Sequence, residues 1–185
     1  MLQEIENCFK CQQIVSCYFN KDDNCVHLTG YICGFNENEL LIAHITPRGE
    51  YDGFVLNNIN GLYRIENNGD YENKINLLYK IKKQKHPVLN CSKNDLVSSL
   101  LSFSCEEKLL VTLELNNDSI TGYVDKYDNY VKLRVVDEYG KNNGTCIIDI
   151  DEIVTFACDT DYEQDIRLLS CSKEIAKLEF DEQIL

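Results

Sequence analysis

No stretch of about 18 consecutive apolar residues occurs in this chain, which excludes a membrane-spanning helix. Basic residues are scarce: 18 Lys and Arg face 31 Asp and Glu, a formal net charge of −13 over 185 residues. That balance excludes an ordinary nucleic-acid binder, which needs cations to neutralise phosphates. Met1–Glu6 contains no basic stretch leading into an apolar core, so a cytoplasmic protein rather than a secreted one is expected. Also missing are a Gly-rich phosphate loop, a nucleophile elbow and an HExxH zinc motif. An apolar content of 44% is nevertheless enough for a real core and excludes wholesale disorder.

Cysteine is abundant, with ten residues. In a reducing compartment these serve as small hydrophobes, and Cys17, Cys33, Cys146 and Cys158 all sit in apolar, strand-like stretches. The Cys8-x-x-Cys11 spacing has no second pair downstream, so neither a metal nor any other cofactor is expected. Three histidines are present, His27, His44 and His86. Cys25 and His27 would share one face of a strand, but the sequence supplies no orienting third group or oxyanion site, and ordinary strand surface is expected. His44 is expected as a strand residue with a local hydrogen bond, and His86 as part of a linker. The acidic Asp149–Glu152 segment lacks the glycine and spacing of a calcium loop and reads as a turn. No enzyme activity is expected.

The chain resembles itself. Gly49–Leu78 and Gly140–Leu169 are 91 residues apart and share nine of thirty positions, including both glycines and the block D-Y-E-x-x-I-x-L-L. Upstream, Thr29-Gly30-Tyr31 matches Thr121-Gly122-Tyr123 at an offset of 92. Two tandem copies of one unit are therefore expected. In the second copy, alternation predicts strands at Val111–Leu115, Ile120–Tyr127, Val131–Val135, Thr145–Ile148 and Ile153–Cys158. The corresponding strands of the first are Ile14–Phe19, Cys25–Phe35, Leu40–Thr46, Phe54–Leu56 and Leu62–Glu66. A helix follows each set, from Asp70 and from Asp161, with those aspartates expected as N-caps. Further helices are expected over Glu4–Gln12 and Asn94–Phe103. The fold class is thus mainly β with flanking helices (α+β): a first unit over 1–84, a linker over 85–92 overlapping the Lys82–Asn90 stretch that holds the Lys-rich run and Pro87, and a second unit over 93–185. Each half is expected to bury its own small closed sheet.

Five bent strands after a helix, with a glycine in the second strand, resemble the Sm-like branch of the SH3-type small barrels. The resemblance covers about 12–79 and 105–170. Ile120-Thr-Gly122-Tyr-Val124 and Asp128 fit the first Sm motif, whose Asn position holds Lys132; in the first copy Gly30 fits, and the later positions hold Asn36 and Leu40. Where the second motif has Ile-Arg-Gly, this chain has Ile59-Asn60-Gly61 and Ile150-Asp151-Glu152. The resemblance implies two tandem five-stranded barrels. Because the family's RNA contacts come from that Asn and that Arg, it also implies that the barrel is kept and the RNA site is not.

Charge separates the halves. Residues 1–90 carry 11 acids and 9 bases, net −2, whereas 91–185 carry 20 acids and 9 bases, net −11. An acidic surface repels phosphates and favours basic proteins on encounter. The expected function is a non-catalytic protein-binding module, such as an acidic immunity or inhibitor protein neutralising a basic partner. An RNA-binding Sm-like protein using Lys80–His86 is the alternative. Arg48, Tyr51 and Tyr139, in the loops between the third and fourth strands, are the expected contact residues, being types favoured at protein interfaces.

Overall fold

Helix α1 (Leu2–Cys11) leads into strands β1 (Ile14–Tyr18), β2 (Leu28–Phe35), β3 (Glu39–Ile45), β4 (Tyr51–Asn58) and β5 (Arg64–Asn67), and these into helix α2 (Asp70–Ile81). The second half repeats the order with α3 (Leu96–Glu106), β6 (Leu110–Glu114), β7 (Ser119–Tyr127), β8 (Tyr130–Val136), β9 (Asn142–Asp149), β10 (Thr155–Cys158) and α4 (Asp161–Glu182). A 3₁₀ turn precedes the last strand of each half, at Ile59–Gly61 and Ile150–Glu152. The computed structural model describes residues 1–23 and 27–182, with side chains described as far as 172. None of the described helices is long and apolar enough to cross a membrane.

All ten strands join one antiparallel sheet, in the order β5-β1-β2-β3-β4-β10-β6-β7-β8-β9. Within each half the pairing order is the same: fifth strand, first, second, third, fourth. The halves meet where β4 pairs with β10, Phe54 opposite Cys158, Leu56 opposite Phe156 and Asn57 opposite Thr155. The sheet runs open from β5 to β9, in place of the two separately closed sheets expected from the sequence.

The core follows the sheet across this seam. Its largest cluster combines Leu41, Phe54 and Leu56 of the first half with Leu100, Leu113, Leu133 and Phe156 of the second. The expected independent cores survive only as smaller clusters, one around Val15, Ile32 and Leu40, another around Ile14, Ile45 and Ile75, and a third around Leu110 and Ile166. The physical reason lies in β4, whose Phe54-Val55-Leu56 run is buried on both faces. Helix α3 covers one face and β10 pairs along its edge, and together they bring the second half onto the first.

Two local devices shape each half. Gly30 runs so close to β3 that a Cβ would lie 2.0 Å from the Ala43 carbonyl oxygen; at Gly122 the corresponding distance to Arg134 is 2.5 Å. Only glycine permits such an approach. The second device fixes the helix after the last strand. Glu72, buried, accepts from the Gly69 N–H (3.1 Å) and from the Ser16 hydroxyl (2.5 Å). Ser16 has no second proton, so Thr29 donates to it at 3.2 Å. In the second half Glu163 accepts from the Thr160 N–H (2.8 Å) and from Thr112, which lies 2.9 Å from Thr121. The helices do begin at Asp70 and Asp161, but the N–H groups ahead of them are held by the glutamates two residues on, not by the aspartates expected as caps.

Candidate functional site at the seam

Alternation along β4 sends Phe54 and Leu56 into the shared core and turns Val55 and Asn57 to the opposite face, where a cleft of about 590 Å³ opens. Both halves line it. Phe19, His44 and Asp52 come from the first, and Glu114, Asp161 and Tyr162 from the second. Among the described residues, three side-chain hydrogen bonds cross the seam. The Asp161 N–H donates to Asp52 Oδ1 (2.6 Å), the Thr155 hydroxyl to Asn57 Oδ1 (3.0 Å), and the Tyr51 hydroxyl to Asp159 Oδ2 (2.8 Å).

The register around the β3–β4 turn places His44 against Asp52, Nδ1 to Oδ2 at 2.8 Å. Burial works to raise the Asp52 carboxyl, but hydrogen bonds from His44 and from the Asp161 backbone outweigh it and hold Asp52 below its ordinary range. Asp161 moves the other way: burial first, then the charges of Asp52, Asp165 and Glu50, push its carboxyl up. The cleft is thus a half-enclosed anionic place beside aromatic rings, with one carboxylate already satisfied and another short of a counter-charge. His27 lies at its rim, stacked on Tyr18 (centroids 4.9 Å apart) and edge-on to Tyr71 (5.5 Å). Cys25, the other member of the Cys25/His27 pair, lies outside the described residues.

His86 anchors the connecting segment beneath the seam. Its Nε2 lies 2.8 Å from the His44 carbonyl and 3.1 Å from that of Gly53, while Nδ1 accepts from the Tyr79 hydroxyl at 2.7 Å. Burial, only partly offset by those carbonyls, pushes its pKa down to about 4.

The three expected contact residues are not brought together. Tyr51 belongs to the seam through its bond to Asp159, and its ring packs on His86. Arg48 sits on an exposed turn 3.6 Å from Glu50. Tyr139 occupies the equivalent turn of the second half, also exposed. The two turns are built alike. The Thr46 hydroxyl accepts from the N–H groups of Arg48 and Glu50, and an Asp137 carboxylate oxygen accepts from those of Tyr139 and Lys141. Each turn rests its glycine on its own helix, Gly49 against Leu78 of α2 and Gly140 against Leu169 and Ser170 of α4. Of the CxxC pair, Cys8 is buried, with a thiol raised mainly by burial, and Cys11 is exposed.

Sequence reasoning did not find the cleft. His44 and Asp52 lie symmetrically about a turn centred on Arg48, a spacing that puts them on adjacent strands, and this was the available signal. Glu114 and Asp161 join them only through the β4–β10 pairing, which no local pattern announces. No family model matches the chain, and no curated protein matches it.

Proposed function

We propose that the chain is a non-catalytic protein-binding module, an internally duplicated Sm-like/SH3-type barrel protein whose seam cleft takes a basic segment of another protein. The duplication is supported by the common pairing order, the matching glycine approaches and the paired glutamate networks of the two halves. One observation carries the binding reading: Asp52, Asp161 and Glu114 converge beside Phe19 and Tyr162 in a cleft shared by both halves. A Lys or Arg side chain placed there gains a counter-charge and an aromatic face together. It would also relieve the repulsion from Asp52, Asp165 and Glu50 that, after burial, raises Asp161. The acidic second half would draw a basic partner in from a distance, as an inhibitor or immunity protein requires. Arg48 and Tyr139, each on its own exposed turn, would offer contacts separate from the cleft. The basic Lys80–His86 stretch offers less to RNA than its composition promises, because Lys82 is already paired with Glu50 at 2.6 Å and His86 is held in the interior.

Titration of the protein into fluorescent Arg/Lys-rich and Glu-rich peptides tests the reading. The basic peptide alone should bind, and Glu114→Gln and Asp161→Asn should each weaken it about fivefold, the effect of losing about 1 kcal/mol of a partly exposed ion pair. Equal affinity for both peptides, or indifference to both substitutions, would refute the proposal.

A further inference from the structure

The two halves part company where the helix after the last strand meets the sheet. Tyr79 of α2 is buried among Ile14, Ile45 and Tyr31, its ring 6.0 Å from that of Tyr31, and its hydroxyl donates to His86. The turn glycines fix its counterpart: Gly49 abuts the backbone of Leu78 and Tyr79, and Gly140 abuts that of Leu169 and Ser170. Ser170 therefore stands where the first half has Tyr79, and beside it the second half opens a cavity of about 390 Å³ between α3, β7, β8 and α4. We propose that this cavity binds an aryl phosphate monoester, whose ring takes the place that Tyr79 fills in the first half.

The residues around the cavity differ from their counterparts in a consistent direction. Helices α1 and α3 end alike, at left-handed Gln12 and Lys108 (φ 51 and 54), with the Gln13 and Leu109 N–H groups donating to the carbonyls of Cys8 and Ser104. On that match Phe9, which packs edge-on to Phe35, becomes Cys105, and Gln12 becomes Lys108. On the sheet, the close approaches of Gly30 and Gly122 match Ala43 to Arg134. Around one cavity the second half has thus lost two aromatic rings and gained two cations, although it is the half with net −11. A local sign opposite to that of the surrounding half, together with space for a ring, fits a ligand that carries a ring and negative charge.

Arg134 lies over the Tyr123 ring, 5.1 Å from its centroid, and its Nε faces Asp125 at 3.6 Å. Its terminal nitrogens, which carry no ion pair among the described residues, can take two phosphate oxygens as a fork. Lys108 supplies a second charge against a dianion. The negative end of α3 is blunted here, because the Phe103, Ser104 and Cys105 carbonyls accept from Glu107, Leu109 and Lys108. Glu106 and Glu107 line a separate cleft with Ser102. The ring would rest on buried Leu109 and Val124, edge-on to Tyr123 as Tyr79 is to Tyr31. The volume lies at the small end for a ligand pocket and suits a single substituted ring.

Calorimetric titration of phenyl phosphate into the full chain tests this, with inorganic phosphate and phenol as partial ligands. Phenyl phosphate should saturate a single site, and each partial ligand should bind at least about tenfold more weakly. Arg134→Ala and Lys108→Ala, both at exposed positions, should each weaken phenyl phosphate about five- to tenfold. Ser170→Tyr restores the first half's residue and should abolish binding with Tm unchanged or raised. Phenyl phosphate should also slow alkylation of Cys105 and Cys171, which are exposed at the rim, and leave that of exposed Cys11 unchanged. A phosphotyrosine tripeptide that binds more tightly than phenyl phosphate assigns the ligand to a phosphorylated protein, and one that binds less tightly assigns it to a free aryl phosphate. Inorganic phosphate binding as tightly as phenyl phosphate would overturn the proposal. So would the absence of saturable binding, or affinity indifferent to both Arg134→Ala and Ser170→Tyr. The basic-peptide titration is read separately, since no described residue lines both this cavity and the seam cleft.

Discussion

Phe156→Ala is the most informative single change for the architecture, because it separates one shared core from two that merely touch. Phe156 is fully buried at the centre of β10, opposite Leu56 on one side and Leu113 on the other. Truncating a fully buried phenylalanine costs about 3–5 kcal/mol, the transfer term plus the cavity left behind. For a chain of this size each kcal/mol lowers Tm by roughly 2–4 °C, so a fall of about 6–20 °C is expected. The discriminating readout is where the loss appears. Hydrogen exchange followed by mass spectrometry should show amides of β2 and β3 losing protection together with those of β7 and β8, within one cooperative melting transition. If instead the second half melts early while protection in β1–β3 is untouched, the halves are energetically independent and the argument from a common core is refuted.

Two further outcomes follow from buried polar groups. Thr112→Val leaves one carboxylate oxygen of Glu163, the one Thr160 does not reach, without its donor and Thr121 without an acceptor in the interior, which should cost about 1–3 kcal/mol; chemical denaturation measures it, and Ser16→Ala should act on Glu72 in the same direction. His86 has a folded-state pKa depressed from 6.5 to about 4, so the unfolded chain binds its proton first as the medium is acidified. Its contribution is complete above 6.5 and is lost as pH falls toward 4, on the order of 3 kcal/mol for the full interval. Tm followed over that interval should fall less steeply in His86→Gln than in the native chain.

Much of the secondary structure was legible because period-two alternation and the glycine–aspartate punctuation are local signals. The strands expected at Ile14, Ile120 and Val131 and the helices from Asp70 and Asp161 begin within a residue of where the structure puts them. Glu72 and Glu163 were visible as an identity within the D-Y-E block, but their role was not: a carboxylate in a first helical turn usually faces solvent, and only the packing of α2 on β1, and of α4 on β6, buries these two. The seam had one faint sign. Where the first half has the unbroken apolar run Phe54-Val55-Leu56, the second has Thr145-Cys146-Ile147, so one fourth strand is prepared for cover on both faces and the other less so. What joins β4 to β10 is a pairing between residues about a hundred positions apart, and such pairings leave no periodic trace.

That separation has a consequence for how the chain is made. β10 sits in the middle of the sheet, between β4 and β6, yet it is the last of the ten strands in chain order. Until Thr155–Cys158 emerges, the nascent chain carries the bare edge and apolar flank of β4 with nothing to pair against. Of the ten strands the keystone is made after all the others, so translation through the second half is an interval in which this protein needs shielding from its neighbours.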